Sequence, residues 1–195
     1  MRTIFDENYF KSYEVRSLNN AQGQISDYSL YGERVTTVFV SHKHDDLESL
    51  KGIIGFLEKQ YNIKAYIDSQ DPNMPKVTSG ITAKNIKERI SRCRKFILLA
   101  TNGAIESKWC NWELGYGDAK KYKDHIAILP LKPSGSSDAQ YKGHEYMSIY
   151  PSIARYDSGD KYSNGNSITP GYYVQTKDDT DNKYYITPLA EWLKR

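Results

Sequence analysis

Val35-Thr36-Thr37-Val38-Phe39-Val40-Ser41-His42-Lys43-His44-Asp45-Asp46 is the stretch that decides the fold. Its first half is β-branched and apolar on both faces, which predicts a strand buried on both sides. The polar run from Ser41 comes next without a break. Then Leu47, Leu50, Ile54 and Leu57 recur at helical spacing, predicting an amphipathic helix over Asp45–Lys59 capped by Asp45 or Asp46. A fully buried strand feeding a helix through a short polar loop is the opening unit of a parallel sheet covered on both faces.

The same alternation continues downstream. Ile63–Ile67 reads as a short second strand ending at Asp68. Asp68–Gly80, with Pro72, Pro75 and Gly80, reads as a loop. Ile81–Cys93 carries Ile86, Ile90 and Cys93 on one helical face. Phe96-Ile97-Leu98-Leu99-Ala100 is a third buried strand, Lys108–Lys120 a helix, and Ile126–Leu131 a fourth strand stopped by Pro130 and Pro133. Residues 148–155 supply a fifth. The expected fold is therefore α/β and flavodoxin-like, with three layers, a central parallel sheet of about five strands and helices on both faces.

Flanking segments read differently. Residues 1–34 have weak periodicity apart from a short helix over Asn8–Val15, and are expected to be an extension, partly ordered at best. Residues 35–195 form the domain. Its tail holds a Tyr-rich hairpin within about 156–188, built from Tyr172-Tyr173-Val174-Gln175 and Tyr184-Tyr185-Ile186, and a final helix that packs Leu189, Trp192 and Leu193.

Bulk properties exclude several classes. The 195 residues carry 27 Lys and Arg against 24 Asp and Glu, a net charge of +3 with no basic run, which argues against nucleic acid. No apolar stretch reaches the ~18 residues of a membrane helix. The N-terminus lacks the pattern of a secretory signal, so a cytoplasmic location is expected. Cys93 and Cys110 stand apart, with no Cys-x-x-Cys pair, and are expected to be reduced thiols. His42 and His44 have no third clustered ligand, so no metal is expected.

In an open parallel sheet, ligands bind beyond the carboxyl ends of the strands. Three loops leave those ends: Ser41–Asp46, Asp68–Gly80 and Thr101–Ser107. The last runs into the helix that carries Trp109 and Glu113. Trp109, Glu113, Tyr116 and Lys120 fall on one helical face, with Cys110, Leu114 and Gly117 on the neighbouring stripe. Taken alone, a glutamate on a helix usually faces water. The Ser41–Asp46 loop offers backbone N–H groups to a phosphate, but lacks the glycines of a phosphate cradle.

Three segments together resemble the Toll/interleukin-1 receptor (TIR) domain, especially its small bacterial members. Val38–Asp46 is similar to that family's first box, an apolar strand followed by Ser and then an acidic residue that opens a helix. Asp68–Gly80 resembles the family's interaction loop. Ser107-Lys108-Trp109-Cys110-Asn111-Trp112-Glu113-Leu114 resembles its Ser-x-Trp-Cys-x-x-Glu-Leu segment, and is the most specific match. The resemblance spans about residues 35–155. It departs in carrying His42 where many members have an aromatic residue.

The resemblance implies an enzyme that uses NAD as substrate, with no separate cofactor, and Glu113 as the catalytic residue. It implies that Ser41, His42, Lys43 and Trp109 bind the substrate. It also implies self-association between TIR domains and a separate effector that reads a nucleotide product, as in Thoeris-like antiviral defence. A non-catalytic TIR–TIR scaffold is the alternative. Two further readings share the layout. A phosphoacceptor receiver needs an Asp after the third strand, where this chain has Thr101-Asn102. A nucleoside deoxyribosyltransferase also uses a glutamate, but on deoxynucleosides.

Overall fold

Alternate residues of each central strand enter two different cores, and this divides the molecule into layers. The computed structural model describes residues 4–15, 36–67, 79–121, 123–143, 145–178 and 180–195. Strand β1 is Phe5–Asp6, β2 Thr37–Ser41, β3 Lys64–Tyr66, β4 Lys95–Ala100, β5 Ile126–Lys132, β6 Ser152–Tyr156, β7 Gly171–Lys177 and β8 Tyr184–Pro188. Helix α1 is Leu47–Tyr61, α2 Gly80–Arg92, α3 Asn102–Glu106, α4 Lys108–Lys120 and α5 Leu189–Lys194. Val38, Val40, Ile97, Leu99, Ala127, Leu129 and Leu131 face α1 and α5. Phe39, Phe96, Leu98, Ala100, Ile126 and Ile128 face α2 and α4. Period-two alternation between two apolar faces is why these strands read as continuous hydrophobic runs.

The sheet order is β3-β2-β4-β5-β6-β7-β8, with β1 paired to β5. The first five of that path are parallel, as expected, and β7 and β8 add to them in antiparallel fashion. The expected hairpin therefore exists, and it extends the main sheet. Ile153 opposes Val174, and Val174 opposes Thr187. The chain runs from β2 to β3 on one side and then returns to β4 on the other, so the order of the strands reverses between β2 and β4.

Helix boundaries obey local chemistry. Ser79 caps α2 by accepting from the Thr82 N–H, and Thr82 answers with its own hydroxyl. Asn62 ends α1 in the left-handed conformation. Helix α3 is an addition to the expected elements. Thr101 caps it by accepting from Ala104 N–H at 3.0 Å. The fourth expected strand is not stopped at Pro130. It runs on to Lys132, because Pro130 lies opposite Ala100 at the last register position of the β4 ladder, where a missing N–H interrupts little. Val35 and residues 68–78, which hold most of the expected Asp68–Gly80 loop, lie outside the described residues, and Gly80 opens α2.

The described part of the N-terminal extension, residues 4–15, is built into the domain. Phe5 pairs with Leu131. Phe10 is 1% exposed and packs in an aromatic cluster with Phe5, Phe56 and Tyr172. A single 3-10 turn at Lys11–Tyr13 replaces the expected helix over Asn8–Val15. Two glycines on α1 make the approach possible. A Cβ on Gly52 would stand 2.8 Å from the Phe10 carbonyl oxygen, and one on Gly55 would stand 1.9 Å from that of Tyr13. The helix backbone itself is the docking surface.

Candidate functional site

Ser41 ends β2 and Glu113 lies in the second turn of α4, the helix that comes after β4 and α3. The β2–β4 pairing brings the two together at the reversal point of the sheet. Ser41 Oγ donates to Glu113 Oε2 at 2.5 Å, and the contact is buried. Ser41 is 0% exposed and Glu113 1%. A carboxylate in such a place is costly to desolvate and needs strong partners. Groups held in that way concentrate at functional sites.

Glu113 belongs to the buried stripe of α4. The buried positions of that helix are Cys110, Glu113, Leu114 and Gly117, an i, i+3, i+4, i+7 pattern. The expected face of Trp109, Glu113, Tyr116 and Lys120 does not hold. Lys120 is exposed, and Tyr116 is half-buried against Trp112 at 6.2 Å with Lys87 Nζ 5.4 Å from its ring. The signal is present in the sequence: Glu113 completes the same stripe as its three apolar neighbours. Ser107 fixes the start of α4 by accepting from the Cys110 N–H.

The other expected substrate-binding residues are disposed around this pair in different ways. His42 is buried next to Ser41, with Nδ1 3.2 Å from the Val40 carbonyl oxygen. Lys43 turns outward to Asp45 at 3.0 Å, and its stem lies over Gly103. Trp109 is half-buried, and its indole stacks on Trp112 with centroids 4.9 Å apart. Ser41 and Glu113 are thus joined by a direct bond, while Lys43 and Trp109 are engaged with other side chains.

Asp46 and Thr101 act together in a way that the sequence does not announce. Asp46 holds the N-cap position of α1, but its side chain makes no cap bond. Its Oδ2 accepts from Thr101 Oγ1 at 2.6 Å, so one threonine hydroxyl links the start of α1 to the start of α3. The two loops that flank Ser41 and Glu113 are thereby clasped. Burial raises the Asp46 carboxyl above its ordinary range, against the lowering effect of Thr101 and His42. Glu7, brought in by the N-terminal segment, is raised too, by burial first and then by repulsion from Asp46 and Asp6.

A concavity of about 1250 Å³ opens elsewhere, beyond the carboxyl ends of β5 and β6. It is lined by residues that include Asp6, Lys132, Arg155 and Asp157. Lys132 pairs with Asp138 and Arg155 with Asp157, so its charges are largely satisfied within the fold. No group of three or more metal-ligating side chains occurs among the described residues. Cys93 and Cys110 are buried thiols that are not joined in a disulfide, and burial pushes the Cys93 thiol up to about 12. No helix of the described residues is long and apolar enough to cross a membrane.

The family model described as TIR domain matches residues 38–159. A Bacillus cereus (strain MSX-D12) protein named "Probable 3' cyclic ADP-D-ribose synthase ThsB'" is 30% identical over 166 residues, covering 78% of this chain and 84% of that protein. A Cytobacillus dafuensis protein named as a putative cyclic ADP-D-ribose synthase is 29% identical over 96 residues, 48% of this chain and 25% of its own length. Among solved structures, a prokaryotic SEFIR domain overlaps 57% of this chain and 76% of its own, with a TM-score of 0.42 and 13% identity.

Proposed function

The chain belongs to the TIR domain family, and on that premise we propose that it cleaves the nicotinamide–ribose bond of NAD with Glu113 as the catalytic residue. The observation that carries the reading is the buried Ser41–Glu113 pair at the reversal point of the sheet. The names of the two relatives support NAD-derived chemistry.

The chemistry asks for little more. Nicotinamide is already a cationic leaving group, so its departure needs no general acid. As the bond to C1 of the ribose breaks, positive charge develops on the sugar, as in glycoside cleavage. A fixed carboxylate next to that carbon stabilises the charge, and does so most strongly away from water. Ser41 holds one oxygen of Glu113, which sets the direction of the other. His42 and Lys43, on the same loop, are assigned to the ribose and phosphates. Trp109 is assigned to the wall of the dinucleotide site, which requires its indole to serve both substrate and Trp112.

The product is set by the acceptor. Water yields ADP-ribose, and an internal nucleophile of the same dinucleotide yields a cyclic isomer. The relatives' names favour the cyclic product. Within this reading the product is a signal for a separate effector in antiviral defence of the Thoeris kind, and the domains self-associate to become active.

The test is NAD consumption and product mass, measured by chromatography on concentrated wild type and Glu113→Gln together. Release of nicotinamide by wild type alone, with a product of the mass of NAD less nicotinamide, is the expected result. A product heavier by one water identifies hydrolysis. Absence of turnover in both proteins under forced assembly would move the assignment to a TIR–TIR scaffold.

A further inference from the structure

A second cavity, of about 200 Å³, lies at the other end of the sheet, where the parallel strands begin. It is lined by Lys95 at the start of β4, Asp124 and His125 just before β5, Thr176 of β7, Thr187 of β8, and Trp192 and Arg195 at the end of the chain's last helix. Ser41 lies opposite Leu98 of β4, so three residue steps along that strand, or ~10 Å, separate Lys95 from the level of the Ser41–Glu113 pair.

Lys95 is the anomaly. It is 0% exposed, yet it has no carboxylate within ion-pair distance among the described residues. Its Nζ lies 3.1 Å from His125 Nδ1 and 3.4 Å from the Asp124 carbonyl oxygen. The same Nζ sits 4.5 Å from the centroid of the Trp192 ring. Those are weak substitutes for a counter-ion, since a buried ammonium ordinarily requires a paired anion or gives up its proton. A second unmet group belongs to the same wall. Trp192 is 4% exposed, and its indole N–H has no hydrogen-bond partner among the described residues. An indole nitrogen only donates, so what it lacks is an acceptor.

The lining is rich in donors: an ammonium, an indole N–H, two threonine hydroxyls and a guanidinium. Arg94 and Lys121 add positive charge close by, against Asp124. Arg195 is paired with Glu191, and Arg94 donates to the carbonyl oxygens of Lys194 and Arg195. Lys121 donates to the Cys93 carbonyl oxygen. None of these supplies Lys95 with an anion.

We propose that this cavity binds a small oxyanion of the size and charge of inorganic phosphate, held by Lys95 and Trp192. The occupant accepts from both, and the hydroxyls of Thr176 and Thr187 complete its surroundings. Strands β7 and β8 lie at the opposite end of the sheet path from β2, and α5 carries the chain back across to Thr36 and Arg94 at the start of β2 and β4. The site therefore joins the tail of the chain to the start of the central strands, and its filling stabilises that junction. The site stands whether or not Glu113 is catalytic.

The test is calorimetric titration of the full chain with sodium phosphate at pH 7, in chloride of matched ionic strength. Wild type is expected to show saturable binding, Lys95→Met at least tenfold weaker binding, and Trp192→Phe an intermediate loss. No saturable phosphate signal in wild type, or equal binding by Lys95→Met, overturns the proposal. If Lys95→Met fails to fold, the titration of Lys95 in wild type decides, monitored by NMR of ε-13C-labelled lysine. Burial holds this amine at about 8, and bound phosphate is expected to move it toward the ordinary lysine range. An unchanged Lys95 titration at high phosphate overturns the site. Titration with AMP separates the sources: binding tighter than phosphate identifies the terminal phosphate of a nucleotide, and weaker binding identifies the free ion.

Discussion

Ser41 Oγ and Glu113 Oε2 are 2.5 Å apart, although 72 positions separate the two residues in the chain. The bond joins the end of β2 to α4 across the point where the sheet reverses its order. It fixes a carboxylate at a place where an apolar side chain would pack at lower cost. Glu113→Gln tests what that cost is for. The amide keeps the size and can still accept from Ser41, but it cannot neutralise a developing cation. NAD cleavage should fall by about 10²-fold or more, while the melting temperature should stay level or rise. A parallel loss of stability would point to a structural carboxylate instead.

Ser41→Ala removes the donor and leaves the carboxylate in place. A hydrogen bond to a charged group contributes about 1.5–3 kcal/mol. The variant should therefore lose roughly tenfold to a hundredfold in kcat, with a smaller change in KM, because the reacting carboxylate is less well aimed. A change confined to KM would place Ser41 in binding rather than in the orientation of Glu113.

The central layers were legible because each strand is apolar on two faces. Val38 and Phe39 are adjacent, and they enter different cores. Glu113 was legible in type but not in setting. Its i, i+3, i+4, i+7 relation to Cys110, Leu114 and Gly117 placed it inward, whereas a helical-face count from Trp109 placed it elsewhere. The Asp46–Thr101 clasp was not legible, since it joins two loops 55 residues apart through Asp46, which reads as an ordinary cap, and Thr101, which reads as an ordinary loop residue. Integration of Phe10 was hidden as well. Its ring joins aromatic residues distant in the chain while its backbone lies on Gly52 of α1, and the trace in the sequence is a Gly52–Gly55 spacing that resembles helix weakness.

Assembly makes its own prediction. Where neighbouring copies complete the site, specific activity rises with protein concentration and reaches a plateau once assembly is complete. Initial rates of NAD loss over a hundredfold range of concentration, with scattering from the same samples, provide the check. A strict monomer with constant specific activity would remove self-association from the mechanism.

Gly55→Ala and Gly115→Ala are the same substitution with opposite expected signs. A Cβ at Gly55 would fall 1.9 Å from the Tyr13 carbonyl oxygen, so residues 10–15 must move off α1. Overpacking of that kind costs about 1–3 kcal/mol. Gly115 is exposed on α4 with nothing within 4 Å of the added atom. There the gain is about 0.5–1 kcal/mol from helix propensity. Denaturant titration of both variants checks the pair. Equal effects would mean that the N-terminal segment does not dock on α1.

Lys95 gives stability a pH dependence of predictable sign. Burial holds the amine at about 8 in the folded chain, against an ordinary value of 10.5. Below pH 8 both states carry the proton, and the folded state bears the full penalty of a desolvated charge. Between 8 and 10.5 the folded chain has released the proton while the unfolded chain keeps it, so stability rises with pH across that window. Lys95→Met has no such penalty. In phosphate-free buffer the variant should be more stable than wild type at pH 7, by about 1–3 kcal/mol, and its advantage should shrink toward pH 10. Tyrosines and other lysines titrate in both proteins and cancel in the difference. Phosphate at pH 7 should narrow the same gap by a separate route, because it gives the buried ammonium its missing partner. A gap that is flat with pH would show that Lys95 is solvated in the folded chain, and would remove the basis for an anion beside it.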